Sequence, residues 1–119
     1  MTDVINLAEK FAQFDEQWRP YNVAALNGQV VKLAKLEGAF VWHHHEHEDE
    51  LFLVVKGRLR IELRDGEIRL EEGEFAVIPR GVEHRPVADE ECHVLLLEPA
   101  NTRNTGNVRS EHTVEEAWL

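Results

Sequence analysis

The sequence predicts an all-β fold, a small sandwich or barrel, with one short helix in front of it. Three features carry that expectation. From Tyr21 onward the apolar residues recur with a period of two, the spacing of a half-buried strand. Short runs of this kind follow one another along the chain, and turn signals, most of them glycine-centred, separate them. Many short strands at regular spacing suit a β sandwich or barrel. With 119 residues the chain makes one domain, long enough to bury a core without disulfides.

The opening segment TDVINLAEKFAQF places Val4, Leu7, Ala8, Phe11 and Phe14 on one face at helical spacing. Asn6 followed by Glu9 offers a capping box, with Thr2 or Asp3 as earlier caps. A helix is expected within residues 1–18, ended before Pro20, and Phe11 and Phe14 must dock on the rest of the domain. Strand candidates then run over 30–38, 51–57, 58–64, 67–70, 74–79 and 93–99, within a barrel core spanning 22–99. Turn signals sit at Asn27-Gly28, Glu37-Gly38, Lys56-Gly57, Asp65-Gly66, Glu72-Gly73 and Arg80-Gly81. Asp65-Gly66 is the strongest hairpin signal, because a type I′ turn needs positive φ at both positions. The extension 100–119 is polar at first; Thr113-x-x-Glu116 could cap a last helical turn. Trp118 and Leu119 suit packing back, on this chain or on a neighbouring subunit.

Composition excludes several partners. The apolar fraction of 43% and charged fraction of 30% are those of a soluble globular protein. A formal charge of −10 repels nucleic acid and anionic membrane surfaces. No apolar run approaches the ~18 residues that cross a bilayer, so the expected address is cytoplasmic. The single cysteine, Cys92, fits a reducing compartment and reads as a structural or surface thiol. Arg58, Arg60 and Arg64 share one strand face, either a solvated face or a patch for an acidic substrate or partner.

The chemistry is concentrated in residues 42–57, WHHHEHEDELFLVVKG. Alternation in a strand sends His43 and His45 to one side and Trp42 and His44 to the other. Glu50 opens the next strand, where hairpin pairing can bring it opposite the two histidines. Two neutral imidazoles and a carboxylate suit Fe, Mn, Ni, Cu or Zn. His-rich surface tracts also bind metal adventitiously, so this cluster alone leaves both readings open. Residues 73–84, GEFAVIPRGVEH, add a turn-bounded strand that delivers His84 from a distant part of the sheet. A lone histidine there can equally be structural.

These two stretches resemble the two motifs of the cupin family. In the first, His43-x-His45, four residues, Glu50, six residues and Gly57 match, while Gly38 precedes His43 by four residues instead of five. In the second, Gly73, Pro79, Gly81 and His84 match at every spacing, and Ala88 stands where the family has Asn. The resemblance covers about Val31 to Pro99. It implies a cupin double-stranded β-helix, a jelly-roll barrel with His43, His45, Glu50 and His84 projecting inward around a divalent transition metal. By strand parity Phe52 and Val54 would line the cavity beside Glu50. His44 would face outward; His47 would be exposed, or an alternative ligand or base. His93 and His112 read as structural.

Such a site leaves coordination positions for a small ligand, and the metal can act as a Lewis acid, activate water or orient a substrate. The family's chemistries are many, and fold does not choose among them. The expectation is a metal-dependent enzyme, an oxygenase, isomerase or lyase, on a small oxygen-rich substrate. The alternative is a non-catalytic sugar- or effector-binding protein or sensor. The resemblance further implies a homodimer, often with exchange of N-terminal elements.

Overall fold

The computed structural model describes residues 2–119. After a single helical turn, α1 (Leu7–Phe11), come seven strands: β1 (Tyr21–Leu26), β2 (Gln29–Ala39), β3 (Glu50–Lys56), β4 (Leu59–Leu63), β5 (Gly66–Leu70), β6 (Phe75–Ile78) and β7 (His84–Pro99). All pairings between these strands are antiparallel, in the order β1-β2-β7-β3-β6, with β4 joining β7 and carrying β5. The all-β expectation holds.

The long strand β7 organises the sheet. Its first residues pair with β4, Leu63 opposite His84, and its last with β3, Leu51 opposite Leu97. Along its other edge runs β2, where the register breaks between Leu36 and Gly38. There Cys92 pairs with Leu36 and Ala88 with Gly38, so β7 carries surplus residues at a bulge. A bulge bends the strand and increases twist. The two halves of β7 thereby serve different neighbours, and one continuous sheet encloses a core.

That core is read off the alternation. In β3, Glu50, Phe52 and Val54 are buried while the residues between them are only half buried. Phe52 and Val54 join Leu36, Leu59, Ile61, Ile78, Val94 and Leu96 in the main cluster. A second cluster, Phe11, Phe14, Val23 and Leu33, lies on the other face of β2, closed by the N-terminal segment. Lys32 to Leu36 are therefore buried in succession, because β2 is covered on both sides.

Several expectations need correction. The helix stops at Phe11 instead of running toward residue 18. Its cap is as expected, with Asn6 Oδ1 accepting from Glu9 N at 2.9 Å. Beyond it, Lys35 Nζ donates to the Phe14 carbonyl at 2.6 Å and Trp18 N to the Lys35 carbonyl at 2.8 Å. The chain thus runs along β2, with Trp18 at φ +61°. A helix would keep the Phe14 carbonyl and the Trp18 N–H for itself, and would hold Phe14 and Trp18 off their separate cores. The β4–β5 hairpin exists, but Leu63 pairs with Gly66, so its loop is Arg64-Asp65. The pair with positive φ at both loop positions is Asn27-Gly28, at +49° and +78° between Leu26 and Gln29. Nor does Thr113 cap a helical turn: its hydroxyl bonds Thr105 Oγ1 and Ser110 N. The C-terminus returns in cis: Trp118 bridges Asn22 through its backbone with its side chain exposed, and Leu119 packs on the second cluster, its N bonded to the Asn22 carbonyl.

Candidate metal centre

His43, His45, Glu50 and His84 come from three segments and meet inside the barrel. Beyond β2 the chain keeps pairing with β7: Phe40 N bonds Pro86 O at 2.9 Å. His43 and His84 then form a reciprocal bridge, N to O at 3.0 and 2.9 Å, and their rings lie 4.4 Å apart between centroids. Gly81 N donates to the His45 carbonyl at 2.8 Å, tying the turn before His84 to the His43–His45 segment. Glu50 enters from the first position of β3, paired with Ile78. One side-chain donor atom from each residue lies within 4.8 Å of the other three, and all four residues are buried.

The donor atoms are prepared for a cation. Nδ1 of His43 and of His84 each sit 2.9 Å from a carbonyl, of Val41 and Val82. A carbonyl only accepts, so each ring carries its proton on Nδ1, and in the neutral ring Nε2 is left as a lone pair. His45 Nε2, His84 Nε2 and Glu50 Oε1 are buried without a hydrogen-bond partner among the described residues. His45 Nε2 and His84 Nε2 lie 3.4 and 3.6 Å from Glu50 Oε1, long for hydrogen bonds. Buried polar atoms left this way are costly, and a bound cation would satisfy all three together. Burial, and then the charge of His84, push His43 down to about 4, so it is neutral at pH 7. Burial works against an ionised Glu50, but the polar side chains gathered around it, His45, His84 and Glu98, outweigh it and hold the group well below the ordinary carboxylate range. Three neutral-capable imidazoles and a carboxylate fit a divalent transition metal.

A cavity of about 400 Å3, its open mouth included, adjoins His43 and Glu50. Phe52 is on its wall as strand parity predicts. Trp18 and Phe40 also line it, stacked at 4.7 Å with 18° between their planes. Glu98 is a further wall residue, 1% exposed, and pairs with Lys32 Nζ at 2.9 Å. Burial, together with the charge and hydrogen bonding of Glu50, pushes Glu98 well above the ordinary carboxylate range.

Sequence reasoning missed Trp18, Lys32 and Glu98. The two charged residues had a signal in parity: Glu98 shares a face with Val94 and Leu96, and Lys32 with Ala34 and Leu36. Trp18 had none, since it was assigned to the helix.

The other candidates fall outside the site. His47 is exposed and 3.8 Å from Glu46. His44 is half buried. His93 stacks on Phe11 at 4.6 Å, and His112 packs tilted against Phe40 at 5.2 Å, both as packing residues. Cys92 is fully buried, and that burial raises its thiol to about 12. The arginine face is neutralised: Arg58 pairs with Glu71, Arg60 with Asp89 and Arg64 with Glu83.

The family model for the cupin domain matches residues 29–98. YdbB of Bacillus subtilis (strain 168), itself an uncharacterized protein, is 34% identical over 86 residues, 71% of this chain and 76% of its own. A cupin-2 domain containing protein from Shewanella frigidimarina is 49% identical with a TM-score of 0.80, over 81% of this chain and 94% of that one. Protein NMB1881 from Neisseria meningitidis is 33% identical with a TM-score of 0.76, over 82% and 100%. The paired motifs, the antiparallel sheet and these relatives agree: this chain belongs to the cupin family.

Proposed function

We propose that His43, His45, Glu50 and His84 hold one divalent transition metal, Fe, Mn, Ni, Zn or Cu, and that the chain is a metal-dependent enzyme of oxygenase, isomerase or lyase type. One observation carries this reading: three buried donor atoms without partners converge at one point. When bound, such an ion supplies Lewis acidity and acidifies coordinated water. The chain's own contribution is orientation and exclusion of water. The Val41 and Val82 carbonyls fix two imidazole tautomers, and Phe52, Trp18 and Phe40 keep the cavity largely apolar, where electrostatic interactions strengthen.

The substrate is a small molecule, as the cavity admits nothing large. Nucleic acid and membrane are poor partners for a chain of charge −10, and no described helix is long and apolar enough to cross a bilayer. A cytoplasmic setting suits the single reduced thiol. A homodimer would use the edge strand β6, where Phe75 and Val77 are 62% and 51% exposed.

The test is to load the chain anaerobically with Fe(II), and separately with Mn, Ni, Zn and Cu, and to screen small oxygenated molecules for binding and for product. Metal-dependent product formation supports the enzyme. Tight binding to the loaded protein without product, across all five metals, would make it a binding module.

A further inference from the structure

The cavity carries a second polar anchor beside the four proposed ligands. Glu98 ends the inward-facing row of β7, and its side chain is 1% exposed. Lys32 Nζ holds Oε1 at 2.9 Å, with further contacts to the Thr102 carbonyl at 3.5 Å and to Glu116 at 3.4 Å. Oε2 is buried and has no hydrogen-bonding partner among the described residues. Glu98 also lies within hydrogen-bonding reach of Glu50. A buried carboxylate oxygen with an open lone pair is unfavourable unless something meets it. Lys32 fixes the carboxyl in place, where it can meet a ligand hydroxyl in the cavity.

The rest of the wall restricts what that ligand is. The polar groups facing the cavity are His43, Glu50, Glu98 and Asn104, and no Lys or Arg is among its described lining residues. A phosphate or sulfate group would meet two carboxyls and no cation of the chain. A polyhydroxylated sugar would leave most of its hydroxyls against Trp18, Phe40, Phe52 and Leu96, losing their hydrogen bonds with water. The wall favours a flat, mostly apolar, uncharged body with few oxygens.

We propose that Glu98, positioned by Lys32, is a hydroxyl-recognising subsite, and that the ligand is a small, flat, non-phosphorylated molecule with two neighbouring oxygens, phenolic or enolic in kind. One oxygen meets the metal position and the hydroxyl beside it bonds to Glu98. This deepens the proposed function and rests on it for the metal anchor alone.

Catechol is the probe, titrated by calorimetry into zinc-loaded and chelator-stripped protein, because zinc has no redox chemistry of its own. The comparison is the double variant Lys32→Met/Glu98→Leu, since replacing both partners of a buried ion pair by apolar residues is commonly tolerated. The variant should fold, take up zinc at the parent's stoichiometry and bind catechol about tenfold more weakly, the loss expected for one buried hydrogen bond. The ratio should persist in stripped protein, and mannose 6-phosphate should bind neither form. Equal catechol affinity in parent and variant would overturn the subsite, as would a parent that binds no catechol. Zinc lost together with catechol would recast Glu98 as a support for Glu50. Competitive binding of mannose 6-phosphate would overturn the ligand class. A parent that takes up no zinc would end the metal reading, and the ratio in metal-free protein would then decide the subsite alone.

Discussion

Gly106 lies against the carbonyl of His44, so close that a Cβ at residue 106 would overlap that oxygen and approach His43 Cδ2 at 3.0 Å. The neighbouring Asn107 completes the contact. Its N–H donates to His44 O at 3.0 Å, and its Oδ1 accepts from His44 N at 2.8 Å. The C-terminal extension is therefore a brace on the segment that bears His43 and His45, and it acts from outside the barrel.

That brace gives the first expectation. Gly106→Ala forces a backbone shift and puts a side chain at φ +57°, a loss of about 1–3 kcal/mol. Zinc affinity should fall with it, since His43 and His45 move. Asn107→Ala, which removes one hydrogen bond without a clash, should cost only about 1 kcal/mol. Thermal denaturation and zinc titration of both variants check the order; equal effects would show that close approach is not the constraint.

Phe14→Ala empties the centre of the N-terminal cluster, where the ring lies 5.9 Å from Phe11 and beneath Lys35 Nζ. A loss of about 3–5 kcal/mol is expected in urea unfolding. Metal stoichiometry of the folded fraction should stay that of the parent, because this cluster is on the far face of β2.

Most of what positions the site could be read from residues 42–84. A period of two puts Glu50, Phe52 and Val54 on one face, as found. The hairpin pairing expected to bring Glu50 opposite the two histidines does not form, since Glu50 pairs with Ile78. The direct bridge between His43 and His84 had no signal in the sequence. The helix estimate failed for a physical reason. Amphipathic spacing shows which residues want burial, yet Phe14 and Trp18 enter different clusters, and β2 competes for the backbone between them. Lys32 and Glu98 sat at inward parity, but a charged residue at the end of a strand usually reaches solvent. Only the three-dimensional pairing shows that these two meet one another, at 2.9 Å.

Cys92 should be silent toward iodoacetamide at pH 8 in the folded protein and react on unfolding. Its thiol is raised from 9.0 to about 12 by burial. Above pH 9 the unfolded chain releases this proton while the folded chain keeps it. Stability should therefore fall as pH rises from about 9 to 12, with no contribution from this group below 9. A Cys92→Ala variant lacking that alkaline slope confirms the source; an identical slope contradicts it.

Bound metal should stabilise the fold by mass action, about 4 kcal/mol when free metal stands at a thousand times its dissociation constant. Melting temperature should rise with added zinc and return to the metal-free value with chelator. In the His84→Ala variant zinc should shift it little, because one of the four donors is lost while the backbone bridge to His43 remains.

The most direct measurement is elemental analysis of untagged protein beside the His45→Ala/His84→Ala double variant, with circular dichroism to show that both are folded. Close to one transition-metal ion per chain is expected in the parent and almost none in the variant. A folded parent that stays metal-free after anaerobic reconstitution with Fe, Mn, Ni, Zn and Cu would contradict it.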